Sequence, residues 1–396
     1  MSSLFRQQDF VRLWFVGLLV SVIRWLETLA VGVFVYQTTQ SAFLVAILTM
    51  LRVLPLGLFG ALFGALAEHV DRRTALIVIE LHMMLISVVV ALLALAGHLA
   101  LWHLAVASFL SGVAWATDNP VRRMMIGEVV GPALMGRAMS ADVASNNASR
   151  MLGPIVGGVV LAVVGMGGAF AVSAVLYLFA VVAALRLAYR AAPAPSGSKA
   201  VFVRMAEGFA CVRQSPTLIG ALAVTIIFNV FGWPITSMVP VLALDNLHVG
   251  PAGIGVLASM EGVGALCGAL AVAAFGKPSY YLRVYVGGVL VYLLMVIVFA
   301  LVSSPVVAGA ALLLAGFGSA GFSVMQATLV YVNAPVEMRG RVLGILALCI
   351  GTGPIGFIGM GLAAEAFGST AATVGMGLTG VAVLALTQRW WRAIRA

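Results

Sequence analysis

Arginines and carboxylates stand inside the most apolar parts of this sequence, and they are the residues that could do chemistry. Arg24 and Glu27 are three apart, so a helix puts them on one face. Arg52 lies well inside the apolar stretch 42–67, and Glu261 lies about halfway through 251–275. The densest run is 136–158, where Asp142, Asn146, Asn147 and Arg150 precede Gly153-Pro154 and Gly157-Gly158. That run leads into 151–185, which holds no charged residue. An arginine at mid-membrane depth costs about 2.5 kcal/mol on insertion scales, so Arg150 needs a reason to be there. Guanidinium groups can bind an anionic part of a ligand or lock a gate. A carboxyl group in an apolar setting favours its neutral form and can carry a proton. Glu261 has no arginine in its own segment and is the leading proton carrier, with Glu27 second. The alternative is a set of structural pairs, Arg24 with Glu27 and Arg52 or Arg150 with Asp142. Glu80 and Asp118 lie nearer segment ends and are expected to pair with Arg72, Arg73, Arg122 or Arg123.

The elements that position these groups follow from composition. Of 396 residues, 63% are hydrophobic and 9% charged, against about 25% charged in soluble domains. Apolar segments of membrane-crossing length read as twelve spans, near 11–36, 42–67, 74–97, 100–123, 138–164, 168–190, 218–243, 251–275, 281–302, 305–331, 341–364 and 369–391. Apart from Arg24, Arg52 and Arg150, the arginines and lysines all fall on the side of the termini. The positive-inside rule then makes both termini cytoplasmic, in a bacterial-type inner membrane. The net charge of +9 is thus a topology signal, and nucleic-acid binding is set aside. The first apolar segment is long and holds Arg24 and Glu27, so it reads as a retained span and not a cleaved signal. Cys211, Cys267 and Cys349 form no CxxC pair, and the histidines show no ligand spacing, so neither a metal nor a cofactor is expected. Phe275-Gly276-Lys277-Pro278 lacks the glycine and hydroxyl residues of a phosphate loop. No nucleophile–base constellation appears, so the chain does not read as an enzyme.

The Pro/Ser/Gly-rich stretch 191–200 is the one linker. It divides the chain into an N-terminal six-helix bundle (1–190), a connector (191–217) and a C-terminal six-helix bundle (218–396). Within the connector, Val201, Met205, Phe209 and Val212 share one face, with Arg204, Glu207 and Arg213 toward water. This suits an amphipathic helix on the inner membrane surface. The halves echo each other, because Gly136-Arg137 before Gly153-Pro154 recurs as Gly340-Arg341 before Gly353-Pro354.

Two motifs carry a family resemblance that covers the chain nearly end to end. The loop Gly64-Ala-Leu66-Ala67-Glu68-His69-Val70-Asp71-Arg72-Arg73 resembles the signature loop of the major facilitator superfamily, with Glu68 in place of Asp and Asp71 in place of Gly. Its arginines are expected to stay in the cytoplasm. Gly153-Pro154-x-x-Gly157-Gly158 resembles the motif of proton-coupled exporters in that superfamily, where Gly and Pro allow a bend and tight packing. Together with Asn146-x-x-x-Arg150 and Pro335-Val-Glu337-Met-Arg339-Gly340-Arg341, it is similar to the enterobactin-exporter-like and macrolide-efflux-like branch.

The resemblance implies an all-α membrane protein with two six-helix bundles in pseudo-two-fold relation, alternating access, and a substrate site between the bundles. It implies a monomeric exporter, embedded in a lipid bilayer, of a small amphipathic molecule in exchange for protons. The buried arginines tilt the expected substrate toward negative, siderophore-like character. Arg24, Arg52, Asn146, Arg150, Asn229, Trp233 and Gln326 are the expected substrate contacts. Gly64, Glu68, Asp71, Arg72, Arg73, Asp142, Gly153, Pro154, Gly157, Gly158, Arg339, Arg341, Gly353 and Pro354 are the expected gating positions. An importer or lipid or metabolite transporter of the same fold, and a non-transporting receptor or scaffold, are the alternatives.

Overall fold

The structure, a computed structural model, describes residues 4–66, 70–189, 201–275 and 277–391. The linker 191–200 and Glu68 lie outside the described residues. The chain is built of helices: α1 (Gln8–Thr39), α2 (Ala42–Leu66), α3 (Arg72–Leu95) and a long stretch α4 (Leu101–Leu185), then α5 (Val201–Arg213). The second half holds α6 (Pro216–Ile227), α7 (Val239–Asp245), α8 (Pro251–Phe275), α9 (Tyr281–Leu301), α10 (Pro305–Asn333), α11 (Arg339–Ile350), α12 (Gly353–Phe367) and α13 (Ser369–Leu386). Ten helices among the described residues are long and apolar enough to cross a membrane. Exposed leucines, valines and phenylalanines such as Leu85, Leu92, Val163, Phe179 and Phe367 cover their outer faces, as contact with hydrocarbon requires.

The α4 stretch is broken twice. Gly131 (φ 69°, ψ 172°) and Gly165 (φ 66°, ψ −170°) leave helical geometry, in a left-handed φ region that glycine enters without steric cost. The chain turns there with almost no loop, dividing α4 into the helical segments 101–130, 132–164 and 166–185. Expected boundaries at 123–138 and 164–168 thus become single-residue corners.

Between α6 and α7 the helix deforms. A π-helical turn (Phe228–Gly232) passes into a 3-10 turn (Trp233–Met238). Pro234 and Pro240 each lack an N–H, which weakens the regular ladder. The Gly-Pro echo is realised unequally. The helix ends at Ile350 and restarts at Gly353-Pro354, whereas Gly153-Pro154 stays inside helical backbone.

Four positions named from the sequence have specific partners here. Arg72, at the start of α3, is buried and pairs with Glu128. Arg122 is only 3% exposed and ion-pairs with Asp142 and with Asp118 (3.5 Å). Glu207, expected toward water, lies 3.0 Å from Arg341, so α5 is tied to α11. Asp71, where the resembled motif has glycine, is the N-cap of α3, accepting from the Thr74 N–H (3.2 Å) and hydroxyl (2.5 Å).

Hydrogen bonding from the Thr74 hydroxyl holds the Asp71 carboxyl below its usual range. Its contribution is therefore present above the ordinary aspartate pKa and is lost as pH falls through the lowered value. Asp71→Ala should cost about 1 kcal/mol at neutral pH and much less in acid, read from thermal unfolding at the two pH values.

Candidate functional site

The N-terminal and C-terminal halves meet along a seam of backbone contacts that only glycine allows. A Cβ on Gly158 would stand 2.4 Å from the Pro251 carbonyl oxygen and 3.0 Å from Gly255 Cα. A Cβ on Gly255 would stand 2.4 Å from the Pro154 oxygen. One Cβ on Gly262 would meet the Arg150 oxygen at 2.6 Å. Pro154 has no N–H to return to that oxygen, so the helical bond from residue 154 to residue 150 is missing. Gly153 and Gly157 turn to α1, against Trp25 and Leu26. Gly353 packs on Trp233. At the ends remote from the termini, the Tyr36 hydroxyl of α1 donates to Asp245 of α7 at 2.5 Å.

Beside this seam lies a cavity of about 80 Å³ lined from both halves, by α1, α2, α4, the 3-10 turn, α7 and α8. Arg150 and Glu261 form a hydrogen-bonded ion pair in its wall. Neither group is fully enclosed, the side chains being 25% and 11% exposed. Trp25 also lines the cavity, and its indole Nε1 is buried with no hydrogen-bond partner. Thr28, Thr49 and Thr236 line it too. Their hydroxyls donate to Arg24, Val45 and Trp233 carbonyls at 2.7–2.8 Å. The donor proton of each is spent on its own helix, so each presents lone pairs as acceptors. The wall therefore offers a guanidinium, a carboxylate, the ring of Trp25 and hydroxyl acceptors within apolar surroundings.

The other expected residues are placed differently. Arg24 donates to Asn146 (3.4 Å) and sits 5.2 Å and 4.9 Å from the ring centres of Trp25 and Trp115. It does not pair with Glu27. Glu27 is 2% exposed and accepts from Arg52 (3.3 Å) and from the Ser87 hydroxyl (2.8 Å). Asp142 is held by Arg122 and by Arg123 (3.2 Å), not by Arg150 or Arg52. Asn229 and Gln326 turn into the C-terminal half, toward the Thr225 carbonyl (2.8 Å) and hydroxyl (3.3 Å). Trp233 packs edge-on against Phe357, with ring centres 5.9 Å apart. Arg339 lies over Tyr331 at 4.1 Å. Gly64 is helical within α2. The hydroxyl residues Thr28, Thr49 and Thr236 were not singled out by sequence, because threonine in apolar helices carries no spacing signal.

An all-helical membrane protein whose halves line a largely apolar cavity holding one ion pair is the class this geometry defines. The family model for transmembrane secretion effectors matches residues 2–392, and the chain belongs to that family, within the major facilitator superfamily. It is 25% identical to the multidrug efflux pump Tap of Mycolicibacterium fortuitum, over 87% of this chain and 86% of that one. It is 22% identical to the staphyloferrin A transporter of Staphylococcus aureus, over 91% and 90%. Macrolide efflux protein A of Streptococcus pyogenes is 23% identical over 63% of this chain, a match that spans 62% of that protein's length. In fold, the chain resembles a bacterial homologue of the lysosomal transporter Spinster in an inward-facing conformation (TM-score 0.74, 14% identity, 98% and 97% covered). It also resembles the nucleoside transporter NupG (TM-score 0.77, 12% identity, 98% and 98% covered).

A double-mutant cycle tests the cross-half pair. Arg150→Met and Glu261→Gln should each lower thermal stability, and the double variant should lose less than their sum, with a coupling of about 0.5–3 kcal/mol. Strict additivity would mean that the two side chains do not interact.

Proposed function

We propose that the chain is a secondary active transporter that exports a small amphipathic molecule in exchange for protons, by alternating access of two bundles joined through the 191–217 connector. The observation that carries this is the Arg150–Glu261 pair, made between halves and facing the cavity. A cavity of about 80 Å³ holds a few waters and is smaller than the roughly 300 Å³ at which drug-sized sites begin. Loading a bulky substrate therefore requires the halves to part, which separates Arg150 from Glu261. With basic ends cytoplasmic, the Tyr36–Asp245 contact and the glycine seam close the outer side.

The sign of coupling follows from which partner the substrate takes. An anion that captures Arg150 leaves Glu261 unpaired, and an unpaired carboxylate in an apolar site gains a proton. Substrate and proton would then travel together. A basic amine that captures Glu261 competes with the proton, and competition gives exchange in opposite directions. Efflux against a proton gradient thus favours a substrate with a basic or donor group at Glu261, its apolar body on Trp25. The argument for a negatively charged substrate is weaker than sequence alone made it, since Arg52 and Arg150 both have carboxylate partners. The partial exposure of Arg150 supports the second reading, co-transport of an anion with a proton.

Proteoliposomes with a pH-sensitive dye inside distinguish the readings. Erythromycin, carrying a basic amine, should drive proton movement opposite to its own, whereas a carboxylate siderophore should draw protons along with it if the second reading holds. Glu261→Gln should lower gradient-driven flux by about tenfold or more, the loss of one interaction near 1.4 kcal/mol, while erythromycin still raises the unfolding temperature. Unchanged coupled flux would remove Glu261 as the proton carrier.

A further inference from the structure

A second acid cluster lies within the N-terminal half, away from the cavity lining. Glu80 of α3 is 1% exposed, and neither of its carboxylate oxygens has a hydrogen-bond partner. It lies in electrostatic contact with Asp118 and Arg122 of the first α4 segment. Asp118 is 3% exposed, and its Oδ1 also lacks a partner. Arg122 is shared between Asp118, at 3.5 Å, and Asp142. Arg123 reaches Asp142 at 3.2 Å from a half-exposed position. Tyr177 of the last α4 segment faces the same space, fully buried, with an unpartnered hydroxyl. From α1, Arg24 faces Asp118, and Glu27 faces Tyr177.

The ion pairs within the cluster do not reach every acid. Glu80, Asp118 and Asp142 would supply three negative charges, and Arg122 and Arg123 supply two positive ones. Both guanidiniums lie within ion-pair distance of the aspartates and are consumed by them. Arg24 adds a third positive charge on the side of Asp118, but its guanidinium hydrogen-bonds to Asn146 and gives none to either Glu80 oxygen. Glu80 is left as the acid with no donor, and an isolated carboxylate out of water takes up a proton before it bears that desolvation.

We propose that Glu80 is a second proton-binding site of this protein, neutral in the conformation described because Arg122 is engaged by Asp118 and Asp142 and gives the Glu80 carboxyl no hydrogen bond. The site is separate from Glu261, does not line the cavity, and does not depend on the direction or substrate of transport. Its proton is exchanged only when the packing of α3 on α4 opens to water. The N-terminal half therefore carries a proton of its own, in addition to any handled at the cross-half pair.

Infrared spectroscopy of the purified full-length protein in lipid nanodiscs at neutral pH tests this. Wild type should show the carbonyl stretch of a protonated carboxylic acid, shifted in heavy water. Glu80→Gln should lose that intensity, and Glu261→Gln should retain it. An unchanged band in Glu80→Gln overturns the proposal, whatever the fate of the Glu261 reading. Should Glu80→Gln not accumulate, Glu80→Asp decides in the same way: a displaced band supports a neutral acid at this position, and an undisplaced one contradicts it.

Discussion

The ion pair between Arg150 and Glu261 is the contact on which the arrangement of the two halves depends. Each charge alone is costly in an apolar interior, and each is compensated by the other across the interface. The attraction is stronger there than in water because the surroundings screen it less. Other buried pairs, among them Arg52 with Glu27 and Arg122 with Asp118 and Asp142, lie within the N-terminal half. Those pairs tie helices of one half to each other. The Arg150–Glu261 pair joins the halves, so it is the pair whose making and breaking can be linked to a movement between them.

Backbone packing makes that pair possible. Gly158 and Gly255 let α4 and α8 approach until the Pro154 and Pro251 carbonyls lie where side chains would otherwise stand. Gly262 brings α8 onto the carbonyl of Arg150, the one that Pro154 leaves without its helical donor. The glycines and the proline of the exporter-like motif thus have separate physical tasks. Gly153 and Gly157 seat the segment on α1, Gly158 seats it on the other half, and Pro154 leaves the Arg150 carbonyl without a helical donor.

Much of this was legible in the sequence. Apolar segments, charge asymmetry and the Gly-Pro echo gave the helical membrane architecture, and mid-segment charges pointed to Arg150 and Glu261. Their partnership was not legible, because residues 150 and 261 are joined only by the approach of two distant helices, and no local spacing encodes that. Arg122 was expected among the partners of Asp118 and is found there, whereas its second partner, Asp142, lies on the next helical segment, where no local spacing points to it. Asp71 carried a usable signal, since an aspartate three residues before threonine at a helix start is a capping pattern. The π and 3-10 turns after Ile227 were hidden because Gly232-Trp-Pro234 is compatible with several irregular backbones.

The central claim is that the charge state of the Arg150–Glu261 pair sets how closely the halves are held. Pulsed electron-electron distance measurement reads this directly, with spin labels at Gln37, near the end of α1, and His248, in the connection between α7 and α8. The account predicts a single short-distance population in the wild type at neutral pH, and in Glu261→Gln a marked gain of a longer-distance population. An identical distance distribution in the two proteins would contradict it.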